Sequence, residues 1–163
     1  MKWMLPAGLL LFIAGLFYFV RAGPVGPSVK KEKNNPCGVV FPKPEGYTND
    51  FIHLFTAAEK FQLDSIAGQH EKETSNQIAV ITIDSAMLGA CEVNQYTLEI
   101  AREWGVGIKG KNNGIVICLA PELRKIRIEN GLGIQPLLTN AETQAIVDRI
   151  MVPHFIKLNI LKA

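Results

Sequence analysis

The chain has 163 residues, with 17 Lys+Arg against 15 Asp+Glu and 48% hydrophobic residues, enough for one domain with an ordinary core plus a tail. Lys2 and Arg21 belong to the N-terminal segment, and without them the basic and acidic residues balance. That balance leaves no basic footprint for nucleic acid.

In chain order, the first feature is "MKWMLPAGLLLFIAGLFYFV", in which 18 uncharged residues, Trp3 to Val20, follow a single lysine. The run is intermediate between a signal-peptide core and a full transmembrane helix, and Val20-Arg21-Ala22 supplies a cleavage-site pattern before Gly23. Residues 1–22 therefore read as a signal peptide or a membrane anchor, and both alternatives stand. Either one implies a place outside the cytoplasm and contact with the membrane through this segment. Arg21, Lys30, Lys31 and Lys33 follow the run, an arrangement that the positive-inside rule alone would keep cytoplasmic, whereas the very short charged head favours export. Residues 23–41, with proline, glycine and the cluster "KKEKNN", read as a flexible linker.

Residues 42–163 are expected to form the folded domain. Thr56 and Glu59 have capping-box spacing, so Thr56 opens a helix whose apolar face is assigned to Phe61, Leu63, Ile66 and Ala67. "QIAVITID" is a nearly continuous β-branched run, the mark of a strand buried on both faces. "EVNQYTLEIAREWG" is an amphipathic helix with Val93, Tyr96, Ile100 and Trp104 on one side and Gly105 as its stop. "GIVICLA" is a second buried strand. "RKIRIEN" alternates charged and aliphatic residues, and the short link between the two predicts an antiparallel hairpin. "TNAETQAIVDRIMVPHF" is the last helix, capped by Thr139 or Asn140, with Pro153 marking its end or a kink. This order predicts an α/β/α sandwich with a mixed sheet including an antiparallel hairpin. The short stretch after Pro153 suggests a shortened C-terminus.

Most chemical motifs dissolve on inspection. "GVGIKG" matches G-x-G-x-x-G, but its glycines follow a helix and precede a strand, so no helix N-terminus meets a phosphate there. Cys118 and Arg124 have the C-x5-R spacing of cysteine-dependent phosphatases, yet Cys118 lies in a buried strand and reads as a small hydrophobe. Cys37 and Cys91 have no metal-ligand spacing, and the sequence allows a bridge between them without establishing it. His53, His70 and His154 are scattered. Arg127 and Glu129 share a strand face, where an exposed ion pair is the simpler reading; with Arg124 they offer an alternative anion-binding rim. The remaining cluster is amide-rich. A hairpin returns to its start, which would place Asn112 of "NNG", Gln135 of "GIQ" and Asn140 of "TNA" on one rim, as turn and cap residues or as oxygen ligands for a hard cation.

"GYTNDF", "QIAVITID", "REWGVGIKGKNNGIVICLA", "KIRIENGLGIQPLLTNA" and "MVPHF" together resemble the TPM domain family, which includes thylakoid lumen acid phosphatase, photosystem II repair proteins and exported bacterial proteins. The resemblance covers about Pro42 to Lys157. It implies a Rossmann-like α/β/α fold, a place outside the cytoplasm, calcium binding in some members and an acid phosphatase activity. This sequence departs from the family where three acids would stand: the pattern "DNG", "GLE", "LTDA" is here Asn112, Gln135 and Asn140. Each amide keeps a carbonyl oxygen and loses a full charge, leaving Glu129 or Asp50 as the nearby acids. Calcium affinity follows ligand charge, so weak calcium binding at most is expected and no other cofactor. The resulting expectation is an exported or membrane-anchored binding, assembly or repair-associated factor with an unidentified protein partner. A weak, acid phosphatase-like phosphomonoesterase is the alternative.

Overall fold

The computed structural model describes residues 35–157. The expected signal peptide or anchor and most of the expected linker lie outside these residues, as does the end of the chain. Among the described residues no helix is long and apolar enough to cross a membrane.

The two β-branched runs become β2 (Gln77–Thr82) and β3 (Gly114–Ala120), and they pair in parallel from Gln77↔Gly114 to Thr82↔Leu119. β4 (Lys125–Asn130) returns antiparallel to β3, as the short link between them predicts, after a 3-10 turn at Pro121–Leu123. An additional strand not expected from the sequence, β1 (Thr48–Asp50), adds parallel to β2 and completes a sheet of order β1-β2-β3-β4. Its residues "TND" carry no apolar signal; hydrogen bonds make the burial of Asn49 tolerable, whereas the buried Thr48 hydroxyl has no partner. Asn49 donates to Gly46 O and Val80 O and accepts from Glu45 N–H, while Thr48 N–H donates to Asp64 Oδ1 at 2.7 Å.

Helix α2 (Val93–Trp104) behaves as its periodicity predicts. Val93, Tyr96 and Ile100 pack into a core with Ala79, Ile81 and Ile83 of the β2 side and Val116, Cys118 and Ala120 of β3. Helix α1 (Ala57–Thr74) starts at Thr56 with the full capping box in place. Its expected apolar face is corrected by the structure: Phe61 is 73% exposed and Ile66 66% exposed, and Ala67 is the buried residue of the four. At 100° per residue, Phe61 and Ile66 stand about 140° apart, too far to share one stripe. The helix docks instead through polar pins. Asp64 holds Thr48, Gly68 lies against the Tyr47 ring, and Glu71 accepts from Tyr47 Oη at 2.6 Å and from Gln77 Nε2 at 2.7 Å.

The expected linker is also shortened from its C-terminal end. Cys37 is only 1% exposed and forms a disulfide with Cys91, with Val39 and Phe41 packed alongside. Phe41 stands edge-on to Tyr96 at 5.1 Å, and Trp104 Nε1 donates to Pro42 O at 2.8 Å. Apolar residues at alternate positions 37, 39 and 41 account for this packing, because a composition reading of the whole segment averages them away. The last helix runs as α3 (Asn140–Ile146), a π turn (Val147–Met151) and α4 (Val152–Lys157), so the chain remains helical through Pro153 with the wide turn just upstream.

Candidate functional site

The site is built where the hairpin closes. Gly131 N–H donates to Gly114 O at 2.8 Å, which brings the outer ends of β3 and β4 together beside the loop that follows α2. That loop begins with Gly105 in the left-handed region, whose N–H returns to Ala101 O as a helix stop. Gly107, at φ 101°, lies so close to β3 that an added Cβ would meet Gly114 N at 2.5 Å, so only glycine fits. Two side-chain amides then pin the loop. Gln77 Oε1 accepts Gly107 N–H at 2.7 Å. The buried Asn113 accepts Ile108 N–H at 2.8 Å and donates to Ser75 O at 2.6 Å. These bonds occupy N–H groups that a phosphate-binding loop would have to leave free, which agrees with reading "GVGIKG" as a helix stop and loop.

Two depressions meet at this corner. One is a cleft of about 700 Å³ with an apolar wall from Leu98, Ala101 and Val106, and its polar end carries Asn112, Glu129 and Gln135. The other is a groove of about 240 Å³ between β4 and α3, lined by Arg127, Glu129, Gln135, Asn140 and Thr143 among others. Glu129 and Gln135 belong to both, with Asn112 on one side and Asn140 on the other. Asn112 sits in the left-handed region at φ 50°, and its carbonyl accepts Gly133 N–H, so its backbone does the work of a turn. The cap of α3 is Thr139, in a full capping box with Glu142, so Asn140 has no capping duty. None of the three amide side chains makes a hydrogen bond among the described residues.

The remaining candidates are placed as follows. Arg127 Nη2 and Nε both donate to Glu129 Oε2, at 2.6 and 3.2 Å, so the one acid of the rim is already paired with a cation. Arg124 lies at the other end of β4, where it caps the 3-10 turn at φ 52°, roughly 17 Å of strand from Glu129. It does not join the other two. Asp50 is likewise distant from the rim, on the opposite edge strand of the sheet. Burial pushes its carboxyl up, but bonds from Thr82 Oγ1, Phe55 N–H and Leu54 N–H outweigh that and hold it below the usual carboxylate range. Its role is to fold the loop into α1. Cys118 is fully buried and burial pushes its thiol up to about 11, the opposite of an activated nucleophile. Among the described residues no three His, Cys, Asp or Glu side chains gather where they could hold a metal ion, and His53, His70 and His154 join no such group.

One residue of the corner was missed. Asn130 is 9% exposed, lines both depressions, and donates to Thr143 Oγ1 at 2.7 Å. Its Oδ1 has no hydrogen-bond partner. The signal was present in "KIRIEN", whose alternation puts Asn130 on the inward face with Ile126 and Ile128.

A mixed sheet with α1 against β1 and β2, α2 against β3 and β4, and an amide-lined corner at the hairpin end defines an α/β domain with a small polar corner. The TPM domain family model matches residues 48–163, and the chain belongs to that family. Among solved structures it resembles the N-terminal domain of a P. gingivalis protein, with a TM-score of 0.63 and 28% identity over 71% of this chain and 73% of that one. It also shares its fold with the N-terminal domain of the Corynebacterium glutamicum protein cg2496, with a TM-score of 0.54 and 17% identity over 76% of this chain and 77% of that one. None of the curated proteins matches.

Proposed function

We propose that this TPM domain is an exported or membrane-anchored binding or assembly factor rather than a calcium-dependent phosphatase. The observation that carries this reading is the donor set at the corner. Asn112, Gln135 and Asn140 are neutral, and Glu129 is spent on Arg127. Calcium needs ionised oxygen ligands to offset its dehydration, so these residues do not fit a tight calcium site. Side-chain amides with free donors and acceptors suit a neutral, hydrogen-bonding ligand instead. Export is supported by the apolar segment Trp3–Val20 and by the Cys37–Cys91 bridge, since such bridges persist in oxidising compartments.

Calorimetric titration with calcium tests this reading directly. The wild-type protein is expected to bind at millimolar affinity or weaker, and Asn112→Asp/Gln135→Glu/Asn140→Asp is expected to gain calcium binding by at least tenfold. A triple variant that still ignores calcium would remove the rim assignment. Arg102 and Lys109 on the cleft wall favour the second reading, a weak phosphomonoesterase. Calcium-dependent hydrolysis of a phosphomonoester by the wild-type chain would establish that reading over the first.

A further inference from the structure

The groove between β4 and α3 has a feature that the amide rim alone does not use. Among the described residues β4 is an edge strand, and Ile126, Arg127, Ile128, Glu129 and Asn130 all line the groove. The opposite wall is Asn140, Thr143, Gln144 and Val147, the one-face spacing of a helix. The bond from Gly131 N–H to Gly114 O, with the register Val116↔Glu129 and Cys118↔Arg127, fixes which residues bond inward to β3. Hydrogen-bonded pairs alternate along an antiparallel ladder, so Glu129 and Arg127 face β3, while Ile126, Ile128 and Asn130 turn their N–H and C=O outward. Among the described residues nothing bonds to those outward groups.

We infer that this groove takes an extended peptide segment of a partner protein, which adds to β4 as a further strand. Strand addition to an unpaired sheet edge is one of the recurring ways in which peptides are recognised: the main chain supplies affinity and alternate side chains supply specificity. The chemistry of the walls selects the occupant. On one face the peptide meets Ile126, Ile128 and Val147 and calls for aliphatic residues. On the other it meets Arg127 and Glu129, which neutralise each other and leave no net charge to attract a charged side chain. The free amides of Gln135 and Asn140 match the donors and acceptors of a neutral peptide. The occupant is therefore an uncharged strand alternating aliphatic and polar residues. This assigns a partner class to the binding reading and rests on it, but its test addresses the strand edge rather than calcium, so the two fail separately.

The test uses the full-length protein in detergent with an array of acetylated, amidated hexapeptides alternating valine, isoleucine or leucine with serine, threonine or glutamine. At least one peptide is expected to bind. N-methylating its alternate amides is expected to abolish binding in one phase and spare it in the other, because only one set of peptide N–H groups can face β4. Ile126→Pro removes an outward N–H that the sheet does not use, so it is expected to keep the fold and weaken the peptide at least tenfold. The N-methyl comparison leaves the protein untouched and stands even if that variant folds poorly. Four results would overturn the inference. They are an array with no binder, N-methyl peptides that bind alike in both phases, exchange-protected amides of Ile126, Ile128 and Asn130 in peptide-free protein, and a dimer that Ile126→Pro dissociates.

Discussion

At the scale of single residues, two buried or half-buried polar side chains hold the loops that shape this domain. Asn113 satisfies Ile108 N–H and Ser75 O at once, and its removal leaves both without a partner. Asn113→Ala is expected to cost about 1–3 kcal/mol, seen as a lower urea midpoint with an unchanged slope. Asp50 acts on the loop into α1, and its folded carboxyl titrates below its unfolded value. A depressed carboxyl contributes fully above the unfolded value of about 4 and loses that contribution as pH falls through the folded value. Urea midpoints should therefore drop between pH 5 and pH 3, and Asp50→Asn should be less stable at pH 7 and show a smaller drop. An equal acid drop in both proteins would assign the effect elsewhere. Both roles were hard to read beforehand. "NNG" and "TND" look like surface turn chemistry, and only the folded register shows which of their residues is buried.

At the scale of elements, legibility follows how local the signal is. The capping box of Thr56 with Glu59 lies within four residues and formed as read, and of the two caps open for the last helix the structure takes Thr139, in a box with Glu142. Strands β2 and β3 carry nearly continuous apolar runs, β4 an alternating one and α2 a helical one, and all four were equally plain. β1 was not, because three polar residues become a strand only beside β2. Helix α1 misled for a related reason. Its large apolar residues are the conspicuous ones, whereas it docks through Asp64, Gly68 and Glu71, none of which announces a buried face. This distinction is measurable. Phe61→Lys and Ile66→Lys should each change stability by no more than about 0.5 kcal/mol, while Glu71→Ala, which strips Tyr47 Oη and Gln77 Nε2 of an acceptor, should cost about 1 kcal/mol or more. Chemical denaturation of the three variants decides it, and a large loss at Phe61 would mean that α1 is packed there after all.

At the scale of the molecule, residues 37–42 pack on the core as part of the fold. Cys37, Val39 and Phe41 sit on the core beneath α2, and the bridge to Cys91 spans a sequence separation of 54 residues. Leu98, Ala101 and Arg102 of the same helix wall the cleft at the candidate corner, so α2 joins the disulfide-bridged stretch to that corner. Closing a loop of that length restricts the unfolded chain by about 4 kcal/mol in the chain-entropy treatment, a large share of the stability of a domain of this size. Cys37→Ser/Cys91→Ser is therefore expected to melt several degrees lower, and the same shift should appear when the wild-type protein is reduced by a dithiol. Hydrogen exchange should then localise the change. Ala90 N–H, which donates to Cys37 O at 2.9 Å, should lose protection first, with the β2–β3 ladder retained. If the ladder and Ala90 lose protection together, the bridge supports the whole core rather than the N-terminal stretch alone. If neither moves, that stretch is held by Phe41 on Tyr96 and by Trp104 on Pro42, with the bridge adding little.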